Sequence, residues 1–276
     1  MNVAELLKPP GVRRAIFGAT LALASSSPFA LPTFTLAPAG STPPLIGAPV
    51  TADNIIVSDF STVRFTGPTS FTDAGFLAVQ SFQMGGTTVV AGGLNSTYGL
   101  YFQFSGAGSV SGGNPAVSPT SGSFASLNYT LFGYNGPSAT FGFDGGDNPT
   151  VTGAAGAIAL ATGSLLSGPN QSSVGSSPQS PSFTSFAGAN LSFTPTAAGA
   201  GFFANPSSFY NVAVSSFINS PTEVSPVAAG FASGFRIAQG GGSVNFAAPI
   251  PEPETYAMLM AGLGALGWVA RRRKSV

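Results

Sequence analysis

The chain has 276 residues, only 7% of them charged, with 9 Lys plus Arg, 9 Asp plus Glu and a formal net charge of zero. It contains no Cys and no His, which excludes disulfides, thiolate chemistry, imidazole bases, Ser-His pairs and the usual zinc ligands. Hydrophobic residues make up 43% and include 24 Phe, enough apolar surface for a core despite 37 Gly and 23 Pro.

The N-terminus reads as an exported leader. Lys8, Arg13 and Arg14 form a positive region, and the apolar run Ala15 to Ala24 follows it. Small residues then offer cleavage after Ala24, in the pattern Ala22-Leu23-Ala24, or after Ala30. Residues 1–30 are therefore expected to be a signal helix, handled by the secretion translocon and signal peptidase. The stretch 31–50, rich in Pro, Ala and Thr, reads as an extended lead-in.

From there to residue 248 the only cations are Arg64 and Arg236. They stand against Asp53, Asp59, Asp73, Asp144, Asp147 and Glu223. Nucleic acid binding requires clustered cations to displace counterions, so no nucleic-acid partner is expected.

Strand-like runs cover Asn54 to Phe65, Ser81 to Ala91 with a Gly85-Gly86 turn, Tyr98 to Ser105 and Phe124 to Phe132. In the last, Leu127, Tyr129 and Leu131 alternate with Asn128 and Thr130, which predicts one buried and one wet face. Further runs are Ala139 to Phe143, Ala157 to Thr162, Ala189 to Phe193, Phe209 to Phe217, Phe231 to Ala238 and Ser243 to Ala247. Residues 167–182 are low in complexity and read as a loop. The pattern predicts an all-β ectodomain over 51–248, an antiparallel sandwich or jelly roll.

Residues 249–276 form a separate segment. Pro251, Glu252 and Pro253 make a stiff, extended hinge. The apolar run Tyr256 to Ala270 reaches about 22 Å as a helix, short of a hydrocarbon core of about 30 Å, a gap that snorkelling cations can span. Arg271, Arg272, Arg273 and Lys274 then form a stop-transfer block on the cytoplasmic side.

These three elements together resemble the PEP-CTERM sorting signal of Gram-negative bacteria. The resemblance implies transient anchoring in the inner membrane. An exosortase partner then cuts near the Pro-Glu-Pro motif and passes the protein to the cell surface or matrix. Four blocks of the body resemble the flocculation-associated PEP-CTERM proteins of the PepA type: YGLYFQFSGAGSV (98–110), IALATGSLLSG (158–168), LSFTPTAAGAGFFANPSSFYNVAVSSF (191–217) and the closing VNF. That family resemblance implies exopolysaccharide-dependent cell aggregation, through exopolysaccharide binding or self-association. It implies no catalytic residue, cofactor or metal.

Two alternatives stand beside it. One is a permanently anchored periplasmic binding module. The other is a secreted carbohydrate-active enzyme, which needs two carboxylates flanking a cleft. Asp53 and Asp59 are weighed as such a pair and read instead as surface carboxylates. Asp144-Gly145-Gly146-Asp147-Asn148 has the oxygen ligands of a calcium loop without the spacing, and reads as a hairpin turn. Asn95, Asn128, Asn170 and Asn190 begin glycosylation sequons that arise readily by chance in so Ser- and Thr-rich a chain.

Overall fold

A computed structural model describes residues 31–111, 120–166, 171–174, 185–206, 211–217 and 221–247. The expected signal helix with Ala24 and Ala30, the hinge Pro251 to Pro253, the apolar helix and the basic cluster Arg271 to Lys274 lie outside the described residues. Among the described residues no helix is long and apolar enough to cross a membrane.

The strands are β1 (Phe34–Leu36), β2 (Val50–Ala52), β3 (Asn54–Gly67), β4 (Ser70–Met84), β5 (Thr87–Val89), β6 (Tyr98–Ser111), β7 (Thr120–Asn135), β8 (Thr140–Phe143) and β9 (Pro149–Thr152). They continue with β10 (Ile158–Ser164), β11 (Gln171–Val174), β12 (Ser185–Ser192), β13 (Thr194–Pro195), β14 (Phe203–Asn205), β15 (Asn211–Phe217), β16 (Val224–Pro226) and β17 (Gly234–Ala247). Every pairing between them is antiparallel.

The main ladder runs β3–β4–β6–β7–β11–β12–β15–β17 and returns to β3, because β17 pairs β3 and β11 pairs β7. It is a closed eight-stranded ring with neighbours in sequence order. The all-β, antiparallel expectation holds. The sandwich or jelly roll does not: a jelly roll needs Greek-key crossovers between two sheets, and here the last long strand closes directly on the first.

The chemistry of the ring follows from the period-two alternation of its strands. On β3, Ile55 and Val57 are buried while Asn54, Ile56 and Ser58 are half-buried. Inward positions on β4, β6 and β7 include Phe71, Leu77, Val79, Leu100, Phe102, Leu127 and Leu131, all in one core. Eight strands enclose just enough room for side chains to fill. On β6 and β7 the outward positions carry Gln103, Ser105, Ser109, Ser126, Asn128 and Thr130. Further along the same two strands Tyr101, Phe132 and Tyr134 face outward instead, so the outer wall is polar in one part and aromatic in another.

Three segments depart from the sequence reading. The lead-in 31–50 is built into the core: β1 pairs β2 and β14, and Phe34, Leu36, Leu45 and Val50 are all buried. Phe34 packs edge-on against Phe246 at 4.9 Å and Phe82 at 6.5 Å. Both partners lie near the ends of their strands, so the small sheet packs over one end of the ring. Residues 171–174, inside the low-complexity stretch, form β11 and complete the ring. The runs 231–238 and 243–247 are one bulged strand, β17, with the kink absorbed at Gln239 (φ 65°) between Ala238 and Gly240.

Truncating a ring that touches core on several sides leaves a cavity. Phe34→Ala is expected to cost about 3–5 kcal/mol of unfolding free energy, read by denaturant titration. A change under about 0.5 kcal/mol would mean that this segment lies on the barrel without supporting it.

Candidate functional site

Three features of the barrel carry chemistry: a pair of acids facing inward, an arginine-held hairpin on the outer wall, and a groove beside that hairpin.

Strand alternation places Asp59 and Ser61 on the inward face of β3, and Asp73 and Gly75 on the inward face of β4. Ser61 stands directly opposite Gly75, on the rung between the two acids. Asp59 is 3% exposed, Asp73 8% and Ser61 fully buried. A side chain at position 75 has no room, since its Cβ would fall 2.5 Å from that of Ser61. Burial drives the Asp73 carboxyl well above the ordinary carboxylate range, and the nearby Asp59 charge adds to the rise. The Ser61 hydroxyl offsets part of it, although it makes no hydrogen bond of good geometry. The body's two cations, Arg64 and Arg236, are engaged elsewhere.

The sequence reading is corrected here. Asp53 and Asp59 are not surface groups, for both are buried. Nor are they a pair: Asp53 sits in the bend before β3, while Asp59 stands five residues beyond the first residue of that strand, roughly 17 Å along it. Asp53 accepts a hydrogen bond from the Gly85 N–H at 2.7 Å and so fixes the β4–β5 turn. The true partner, Asp73, sits in the first half of β4, a segment the sequence pattern did not mark as strand.

On the outer wall, the hairpin β8–β9 lies over an aromatic row. Phe141 stacks on Phe60 at 5.4 Å and meets Tyr101 at 5.8 Å and Phe76 at 5.9 Å. Its turn is 144–148. The Asp144 carboxylate accepts hydrogen bonds from the Gly146 and Asn148 backbone N–H groups, both at 2.8 Å, and from the Asn148 amide. The Asn148 side chain first, then these backbone bonds, hold its carboxyl below the usual range.

Asp147 adopts φ 62°, pairs with Arg236 at 3.0 Å and accepts the Ala228 N–H at 2.6 Å. Arg64 donates to the Gly146 carbonyl at 2.7 Å, and Thr62 donates to that of Asp147 at 2.7 Å. The loop weighed as a calcium site thus spends its carboxylates on its own turn and on Arg236. It is the hairpin turn that the residue pattern favoured.

The groove opens beside this hairpin, over β4, β6 and β7. It has a volume of about 290 Å³ and is lined by Ala74, Phe76, Gln103, Ser105, Asn128, Thr130 and Pro149, with backbone of the inward residues between them. No acid or base lines it. Among the described residues, no three acids gather as a metal-ligand set.

The C-terminal segment is placed by comparison. Residues 249–274 match the PEP-CTERM protein-sorting motif. The matched span takes in Pro251, Glu252 and Pro253 and all four cations Arg271, Arg272, Arg273 and Lys274. The motif marks an exported protein, anchored transiently in a membrane and recognised by exosortase. No curated protein and no solved structure matches the chain.

A raised carboxyl pKa has a direct consequence for stability. The folded barrel holds a proton at Asp73 more tightly than the unfolded chain does. Its contribution is therefore complete below the unfolded value of 3.8 and is lost as pH rises through the raised folded value. Unfolding free energy should fall with increasing pH across that window. Asp73→Asn should flatten the slope and leave the protein more stable than wild type at the alkaline end. Denaturant titrations from pH 4 to pH 9 check this, and parallel curves for the two proteins would contradict it.

Proposed function

We propose that the chain is an exosortase-processed cell-surface or matrix protein that supports exopolysaccharide-dependent cell aggregation, its barrel acting as a non-enzymatic binding body. The sorting motif at 249–274 carries this reading. It separates a disposable address from a body that is released once the hinge is cut.

The chemistry of the body supports it. Two cations against six acids leave 31–250 with a net charge of −4 in 220 residues. Self-repulsion between copies is weak at such charge density, and close approach to a neutral polymer or to a second copy is favoured. The resemblance of the blocks at 98–110, 158–168 and 191–217 to flocculation-associated proteins points the same way.

An enzymatic reading has less to draw on. Glycoside hydrolysis needs two carboxylates on opposite sides of an accessible cleft. The barrel's acid pair faces its interior, and the groove on its wall has no acid. A permanently anchored periplasmic module is the remaining alternative, and it differs from the proposal only in the fate of the tail.

Deleting 251–276 is expected to abolish floc formation and to leave the protein off the cell surface, as seen by cell fractionation and microscopy. Mass spectrometry of the mature wild-type protein should find its C-terminus near Pro251 to Pro253. Normal flocs with the truncated protein confined to the periplasm would refute the proposal. An intact Arg-rich tail in cells that possess exosortase would favour permanent anchoring.

A further inference from the structure

The groove on the outer wall joins a concave site to a set of uncommitted polar side chains. Two outward rows cross it. Ala74 stands beside Ser105, and Ser105 beside Asn128; Phe76 stands beside Gln103, and Gln103 beside Thr130. Gln103, Ser105 and Asn128 are exposed. None of these hydroxyls and amides is committed to another described residue. Phe76, largely buried beneath the hairpin, closes the floor, and Pro149 of the hairpin lines the groove as well.

The rows continue past the groove. Asn128 neighbours Ser164 and Thr130 neighbours Thr162 across β10, and Thr162 neighbours Thr194 on β13. Ser164 and Ser192 meet at 3.3 Å. At about 4.8 Å between strands, the four strands β6, β7, β10 and β13 give an uncharged polar strip roughly 14 Å long.

The lining selects a ligand by what it lacks and what it offers. No cation is present to pair with phosphate or carboxylate, so nucleic acids and anionic polymers find no counter-charge. β4, β6 and β7 are paired along both sides, so no backbone edge is open for an added peptide strand. Walls of amide and hydroxyl do not suit an apolar ligand. A sugar hydroxyl both donates and accepts, and the Gln103 and Asn128 amides each offer both functions.

We infer that this groove and strip bind a neutral saccharide chain lying across the strands. The inference rests on the aggregation reading for its biological setting and adds the site and the ligand's charge class.

Affinity electrophoresis tests it. The full chain in mild detergent is run on native gels containing dextran, hydroxyethyl cellulose or alginate. A neutral polymer should retard the protein and the anionic alginate should not. The double variant Gln103→Ala/Asn128→Ala should bind at least tenfold more weakly with an unchanged melting midpoint. Ser215→Ala, on β15, should bind as wild type. No retardation by either neutral polymer overturns the inference, as does equal retardation by alginate or full binding by the double variant. Each result leaves the aggregation reading standing, since that reading fails separately in the tail-deletion experiment.

Discussion

Closure of the sheet is the constraint on which the rest depends. A strand edge presents unpaired N–H and C=O groups that recruit other chains, and proteins usually guard such edges with charged side chains, Lys above all. Between residues 31 and 250 this chain has no Lys and only two Arg. It therefore cannot guard a long edge and removes it instead. The 14-residue β17 pairs with β3 over most of its length, and the short β11 bridges β7 and β12. At the margins of the main sheet, β5, β13 and β16 are only two or three residues long. For an exported protein, such an architecture restricts association to side-chain surfaces.

Charge is then placed where it does local work. Both arginines converge on one five-residue turn, and through it they hold the hairpin β8–β9 against the outer wall. That hairpin covers Phe60, Phe76 and Tyr101, an aromatic row that would otherwise be an exposed patch. The same contact forms one rim of the groove, so the ion pair Arg236–Asp147 shapes a site that itself contains no charge. Inside the ring, Asp59 and Asp73 lie close enough for the charge of one to act on the other. Burial pushes the Asp73 carboxyl well above the ordinary carboxylate range, which eases enclosing two acids in one interior.

Much of this was legible in the sequence. Alternation at Leu127, Tyr129 and Leu131 marked β7 correctly, and the Gly85-Gly86 turn marked the β4–β5 hairpin, with φ 57° and 79° at the two glycines. Other features were hidden for physical reasons. The first half of β4 reads FTDAGFLAVQ, where Phe76 and Ala78 face outward beneath or beside the hairpin, so polar and apolar residues do not alternate. β11 is Gln-Ser-Ser-Val within a polar tract, and its strand character comes from being flanked by β7 and β12 rather than from its composition. The glycines 240–242 looked like a break but mark a bulge, which bends a strand without ending it. Local pattern gave the strands, while closure is a long-range property that no single segment encodes.

The separation between body and tail follows from the same economy of charge. Four of the nine basic residues in the chain are packed into positions 271–274, and three more lie in the first 14 residues. Export and sorting use these cations to orient segments across a membrane. Were they distributed over the barrel, its uncharged strip and groove would attract polyanions indiscriminately. Confining them to the two ends lets one chain obey the charge rules of membrane insertion and still present a nearly ion-free body. Hence Pro251 to Pro253 mark more than a link in the sorting motif. They are the boundary between two electrostatic regimes, a nearly ion-free body and a cation-rich tail.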